Sequence, residues 1–289
     1  METTFAVDDP AAWAALMPQL KICDPESIRA FEPFQVDAET GAALDQLIRT
    51  EGYFQLDPVQ WGLPWPEMAE AVATMRAVGL SPCFVFMYDE FWLAFAKLDP
   101  LLRAIMGDDY QAIPAFWAWY IDPATDESGW RPHRDMTTGA IRPDGAPNAI
   151  TVWLPLTDAT TLNSCIYIVP ADRDPGYHDG SADIAAEMGD IRALPAQAGS
   201  ILCWTQGIMH WGSHSSRRAA EPRISMAFEY QRGDVPPFRM PVLQPRELPS
   251  FEDRLKLICM QILFYAHMYD VPPEMTAIAH QVLGMQAEA

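Results

Sequence analysis

Apolar residues recur at helical spacing through the first third of the chain, and then the period changes. In DAETGAALDQLIRTEGYFQL, Ala43, Leu44, Leu47 and Ile48 fall on one face and predict a helix that stops at Gly52. Tyr53-Phe54-Gln55-Leu56 behind it predicts a first short strand. PEMAEAVATMRAVG and DEFWLAFAKLDPLLRAIMG predict two further helices, stopped by Gly79 and Gly107. From about residue 113 the runs shorten. PAFWAWYI, NAITVWLPL, SCIYIVP, SILCWTQ and RISMAFEYQ are β-prone and are separated by Pro, Gly, Asp and Asn clusters. Short strands at this spacing predict a sandwich or barrel, and helices first with strands later exclude a regular alternating doubly wound sheet. VPPFRMPVLQPRELPS predicts an extended Pro-rich segment. FEDRLKLICMQILFYAHMY predicts a closing amphipathic helix, placed to pack on the barrel, to cover a site or to form the seam of a homodimer. The expected organisation is one domain over 1–289, with a mainly helical part (1–112), a β core (113–235) and a Pro-rich segment with C-terminal helices (236–289).

Composition narrows the class of partner. The 289 residues carry 39 acidic and 19 basic side chains, a net charge of −20, which argues against nucleic acid and against anionic lipid. No apolar run approaches the roughly 18 residues of a membrane span. The start, METTFAVDDPAAWAAL, has no basic region of the kind a secretory signal carries. Cys23, Cys83, Cys165, Cys203 and Cys259 are scattered and form no C-x-x-C, so neither a disulfide framework nor a zinc knuckle is expected, and a cytoplasmic location is.

The strongest chemical signal is His133-Arg134-Asp135 in GWRPHRDM. In a strand, residues i and i+2 leave the same face about 6.5 Å apart, so an imidazole and a carboxylate there can converge on one ion. A third ligand must come from elsewhere. His210, between SILCWTQ and RISMAFEYQ, is favoured over His214, which lies in a Ser-rich turn. His178 falls in a turn, and His267 and His280 fall in the terminal helices. Two histidines and one carboxylate on one face leave positions open on an iron(II) ion. Arg223 follows at the start of a strand-like run; its fork suits a carboxylate, although it is also one of four arginines between 217 and 232. His-x-Asp, a distant His and then Arg is the residue order of mononuclear non-haem iron(II) oxygenases that use 2-oxoglutarate. Two rival readings remain at this level: a cupin-like zinc hydrolase or isomerase, which needs no Arg223, and a non-enzymatic small-ligand binding module.

Trp130 to Gln231 resembles the phytanoyl-CoA dioxygenase family in three blocks: GWRPHRDM, ITVWLPLTDATTLNSCIYIVPADRD and MHWGSHSSRRAAEPRIS. The resemblance implies a double-stranded β-helix (jelly-roll, cupin-like) core with surrounding helices. It implies Fe(II) on His133, Asp135 and His210, and Arg223 on 2-oxoglutarate, with Trp153 lining that pocket and Ser225 as a second carboxylate contact. It further implies hydroxylation of a small organic substrate with O2, giving succinate and CO2. The chain departs from the family pattern at Ser164, where a Gly is usual, at Ala171-Asp172-Arg173-Asp174 after Pro170, and at Trp211. Halogenating relatives replace the carboxylate ligand with a small residue; Asp135 is retained, which favours hydroxylation, or another oxygenase outcome such as desaturation, over halogenation. Trp117, Trp119, Tyr120, Met136 and Trp204 flank the ligands and are candidate pocket walls.

Overall fold

A computed structural model describes residues 5–181, 183–269 and 271–285. Among the described residues, eight α-helices frame eight strands: α1 (Pro10–Leu16), α2 (Pro25–Arg29), α3 (Ala38–Thr50), β1 (Tyr53–Leu56), α4 (Trp65–Ala77), α5 (Asp89–Ala96), α6 (Asp99–Met106), β2 (Gln111–Ile121), β3 (Ala149–Pro155), β4 (Ile166–Val169), β5 (Arg192–Leu194), β6 (Ile201–Thr205), β7 (Met209–Gly212), β8 (Arg223–Gln231), α7 (Phe251–Phe264) and α8 (Pro273–Leu283). Asp37 caps α3, accepting a hydrogen bond from Thr40 N at 2.7 Å. The run expected as one helix over 89–107 is two. Pro100 has no N–H to donate to the Ala96 carbonyl, so the chain breaks at Lys97-Leu98 and restarts with Pro100 in the first turn of α6.

The strands form two antiparallel sheets, one ordered β1-β6-β3-β8-β2 and a smaller one ordered β5-β4-β7. Period-two alternation sorts the larger sheet into two faces. Ile150, Val152 and Leu154 of β3 and Met226, Phe228 and Tyr230 of β8 meet the helices in the main core. There Phe116, Phe86, Trp92 and Phe228 pack ring on ring, with Phe86 and Phe116 centroids 4.4 Å apart. The opposite face carries Trp153, Leu202, Trp204 and Ala227 against Ile166, Ile168 and Leu194 of the smaller sheet, forming a second, smaller core. The candidate residues Trp153, Arg223 and Ser225 share this inner face by strand parity and register.

The segment expected to be a strand around 133–135 forms no regular strand. It runs beside β7, held by Gly212 N to Trp130 O (3.1 Å), a reciprocal pair between His133 and His210 (3.0 Å each way) and Met136 N to Gln206 O (2.9 Å). Pro132 lacks an N–H, which limits pairing to this interrupted ladder. α7 does not stand apart from the body: Leu255, Leu257, Ile258 and Ile262 are buried in the main core. Among the described residues, no helix is long and apolar enough to cross a membrane.

Candidate metal centre

The reciprocal His133–His210 pair explains how two remote stretches meet. Residues that exchange both backbone hydrogen bonds in an antiparallel ladder project their side chains to the same side. The two imidazole centroids lie 4.3 Å apart, and Asp135, two residues on, reaches the same space. Asp135 Oδ1 lies 3.4 Å from His133 Nε2 and 3.6 Å from His210 Nε2. Among the described residues these three form a cluster with ligand atoms within 4.8 Å of one another. His214, the competing histidine, is exposed and pairs its backbone with Ser128 instead.

Both rings present the nitrogen that a metal would need. His133 Nδ1 lies 2.7 Å from the Arg131 carbonyl and His210 Nδ1 lies 3.2 Å from the Ile208 carbonyl. A carbonyl only accepts, so each Nδ1 carries the proton and each Nε2 turns its lone pair inward. His133 Nε2 is buried with no hydrogen-bond partner. Asp135 Oδ2 accepts from Thr151 Oγ1 at 2.6 Å and Trp204 Nε1 at 3.1 Å, which leaves Oδ1 for the ion. Burial opposes charge on all three groups. It pushes His210 down to about 4. On His133 the Asp135 carboxylate outweighs burial and raises the pKa. The Asp135 carboxyl, though buried, is held well below the usual carboxylate range by His210 and His133. The raised His133 value marks a point where positive charge is favoured, and two imidazole nitrogens with one carboxylate around it form a donor set that fits a divalent cation.

Arg223 lines an inner cavity that it shares with His133, Asp135 and His210. It is 1% exposed and has no ion-pair partner among the described residues. Its Nε and the neighbouring Ser225 Oγ are both buried without hydrogen-bond partners. Burial pushes the guanidinium down to about 10. Its Cζ lies 5.6 Å from the Trp153 ring centroid, and Trp153 also lines the cavity. Two unsatisfied donors on one strand face mark a place for an anion. Trp117, Trp119 and Trp204 line the same cavity, whereas Tyr120 and Met136 do not.

Three features near the cluster were given no role at the sequence level. The first is Glu229, which shares the inward parity of Arg223 and Ser225 on β8 and lines the cavity. It accepts from Gln206 Nε2 at 2.7 Å and Tyr265 Oη at 3.0 Å. Burial, reinforced by the Asp135 charge, raises its carboxyl to about 7. The folded protein thus holds this proton more tightly than the unfolded chain, and stability is lost as pH rises from about 4.5 to about 7. In metal-free protein, Glu229→Gln should match the wild type near pH 4 and exceed it by about 3 kcal/mol at pH 8. Urea denaturation across that range measures the difference; a constant offset would show that the carboxyl is not the cause.

The second feature is Arg134, which lies between two ligands. Its side chain is fully buried and binds Asp174 through Nη1 (2.6 Å) and Nη2 (3.0 Å), Gly207 O through Nη1 (2.6 Å) and Ser181 O through Nε (2.7 Å). It ties the His133–Asp135 segment to the turn that precedes His210 and to the 174–181 loop. That loop approaches closely at Gly180, where a Cβ would fall 1.5 Å from Thr137 O. Asp174 belongs to the stretch that departs from the family pattern. Arg134→Met should cost about 3–5 kcal/mol by leaving Asp174 buried and unpaired. Arg134→Met combined with Asp174→Leu should restore stability but leave metal affinity weaker by about 10–100-fold, read by denaturation and metal titration. The third feature is Ser164, which takes φ +74 at the position where a Gly is usual, and its Oγ accepts from Gly129 N at 3.1 Å.

Paired antiparallel sheets enclosing a two-histidine, one-carboxylate cluster and an unpaired arginine define a metal-dependent oxidoreductase architecture. The sequence profile described as Phytanoyl-CoA dioxygenase (PhyH) matches residues 66–220. The chain belongs to this family, whose members are iron- and 2-oxoglutarate-dependent enzymes. Similar solved structures include the epimerase SnoN in complex with Fe3+, alpha ketoglutarate and nogalamycin RO (TM-score 0.53, 16% identity, 68% of this chain and 85% of that chain). Others are the non-heme alpha ketoglutarate dependent carbocyclase SnoK (0.54, 14%, 74% and 100%) and the non-heme monooxygenase ThoJ in its apo form (0.51, 14%, 83% and 99%). At these identities the likeness is one of fold. No curated protein matches the chain.

Proposed function

We propose that this protein is an Fe(II)- and 2-oxoglutarate-dependent dioxygenase that hydroxylates a C–H bond of a small organic molecule. The net reaction is R–H + 2-oxoglutarate + O2 → R–OH + succinate + CO2; one oxygen atom enters the product and the other enters succinate. The observation that carries this reading is the pairing of two features in one cavity. Three ligand atoms converge at one end of the cavity and the buried Arg223 lines the other, with the unpartnered Ser225 hydroxyl buried beside it at the same parity on β8. A zinc hydrolase would need the first feature but not the second, and a plain binding module would need neither.

His133, Asp135 and His210 would hold the iron, which supplies open coordination positions and redox equivalents for reaction with O2. Arg223 holds the distal carboxylate of 2-oxoglutarate, with Ser225 donating beside it. Trp153 closes the pocket against the arginine's face and limits the ways the cosubstrate can lie. Thr151 and Trp204 fix the Asp135 carboxylate so that one oxygen points to the metal. The tryptophan-lined walls exclude water from the reacting centre. Residues 1–289 act as a single unit, with the two sheets read as a jelly roll and α7 closing one side of it.

The test is succinate formation by protein reconstituted anaerobically with Fe(II), then exposed to air with 2-oxoglutarate. Succinate release that needs both Fe(II) and 2-oxoglutarate, and that rises with substrate, supports the reading. Tight Zn(II) binding with no affinity for 2-oxoglutarate would overturn it in favour of a hydrolase.

A further inference from the structure

A second cavity meets the ligand cluster from outside. This cleft encloses about 1010 Å³, its open mouth included, and its lining includes His133, Asp135, Glu229, Arg239, Phe264 and Tyr265. Arg223 does not line it, and Arg239 does not line the inner cavity. The cluster therefore borders two spaces, the inner one lined by Arg223 and the outer one by Arg131, Arg134 and Arg239.

Arg239 is held differently from the chain's structural arginines. Arg134 and Arg254 are fully buried on carboxylates, at 2.6 Å from Asp174 and Asp89 respectively. Arg239 has no carboxylate partner among the described residues. Its guanidinium lies over Phe264 (3.5 Å to the centroid) and near Tyr265 (5.8 Å). Its hydrogen bonds, to Pro114 O and Gln261 Oε1, are both 3.4 Å and both come from Nη1. The Nε–Nη2 edge of the fork, the geometry that grips a carboxylate, has no partner among the described residues. Stacking on the rings fixes the plane of that edge.

Glu229 faces the same cleft from β8. Each of its oxygens accepts one hydrogen bond, from Gln206 or Tyr265, and a carboxylate has about four acceptor sites, so capacity remains. Tyr265 links the two charges: its hydroxyl is on Glu229 and its ring is near Arg239. Glu229 and Arg239 are near enough for their charges to interact, yet they form no ion pair. In a protein with 39 acidic and 19 basic residues, a cleft lined by the ring-stacked, unpaired guanidinium of Arg239, by the exposed Arg131 and by one underused carboxylate across a tyrosine suits a ligand of both charges, with Arg239 the cation whose plane is fixed.

We propose that the substrate is a small zwitterion of amino-acid type, its carboxylate on the free edge of Arg239 and its ammonium on Glu229. The C–H bond to be oxidised then lies against His133 and Asp135, which line the same cleft. This inference rests on the oxygenase reading and deepens it.

The experiment titrates the full chain, loaded anaerobically with Fe(II) and 2-oxoglutarate, with a panel of L-amino acids, their methyl esters and their N-acetyl derivatives. Palmitoyl-CoA serves as the acyl-CoA control. Intrinsic tryptophan fluorescence reports binding, since Trp130 lines the cleft. At least one amino acid should bind saturably, with its ester and its N-acetyl form each weaker by about 10-fold or more. Arg239→Met should bring the ester within about 2-fold of the parent amino acid while leaving 2-oxoglutarate affinity unchanged, and Glu229→Gln should do the same for the N-acetyl form. The proposal is overturned if no amino acid binds, if esters bind as well as free acids, or if palmitoyl-CoA alone binds, with Fe(II) and 2-oxoglutarate titrating normally. Failure to bind Fe(II) or 2-oxoglutarate would overturn the oxygenase reading as well.

Discussion

Asp135→Ala should abolish iron binding and turnover together. The carboxylate is the only anion of the proposed ligand set, and both of its oxygens are committed: Oδ1 faces the two Nε2 atoms and Oδ2 accepts from Thr151 and Trp204. Changes to groups that merely orient a ligand cost about 10–100-fold in metal affinity, so loss of the ligand itself should exceed 100-fold. Two effects on the metal-free protein should accompany this. The two histidines lose the carboxylate that favours their protonated forms, so the His133 pKa should fall. Glu229 loses a like charge, so its raised pKa should also fall. Elemental analysis with succinate release checks iron and turnover, NMR of the histidine rings checks His133, and NMR titration of the side-chain carboxyl checks Glu229. A variant that retains stoichiometric iron and full activity would remove Asp135 from the ligand set.

Arg223→Met should separate cosubstrate binding from fold stability, with opposite signs. Charge-assisted hydrogen bonds contribute about 1.5–3 kcal/mol each, so loss of a bidentate contact should raise the apparent KM for 2-oxoglutarate by more than about 100-fold. The KM for the primary substrate should stay within a few-fold. Without 2-oxoglutarate, however, the wild type buries an unpaired guanidinium against Trp153 and Cys165, a costly arrangement. An isosteric apolar side chain relieves it, so the variant's melting temperature in the absence of cosubstrate should rise. Added 2-oxoglutarate should raise the melting temperature of the wild type, as mass action requires for a ligand of the folded state, and leave that of the variant unchanged. Equal effects on both KM values, or a destabilised variant, would point to a structural role for Arg223.

The pattern of apolar runs gave β2, β3, β6 and β8 close to their observed bounds, because the larger sheet buries one face on the helices and one on the smaller sheet, and it gave β4 because Ile166 and Ile168 pack into the second core. Two short strands were not legible. β5 (Arg192–Leu194) spans three residues, two of them exposed, and β7 (Met209–Gly212) carries His210 and a glycine in place of a β-branched run. Both owe their existence to pairing with β4, which local sequence does not encode. The ligand triad could be named from residue type and order, but its geometry arises differently from the expectation. His133 and Asp135 do not converge because they alternate on a strand; His133 and His210 converge because their backbones exchange hydrogen bonds across an interrupted ladder. Glu229 left a readable trace, the lone carboxylate within RISMAFEYQ at the same parity as Arg223, Ser225 and Ala227. Arg239 left none, since its meaning depends on the rings of Phe264 and Tyr265, which only the folded chain brings beneath it.

That backbone exchange has a consequence for how the enzyme is charged in a cell. Since main-chain hydrogen bonds set the spacing of the imidazoles, the cluster keeps its shape before any ion arrives and cannot discriminate by rearranging around the right one. Nitrogen and oxygen donors held so rigidly follow the intrinsic order of the divalent series, in which copper and zinc outrank ferrous iron. Protein isolated in air with trace zinc should therefore carry the wrong passenger, and activity should track the purity of the metal supply rather than the amount of folded protein.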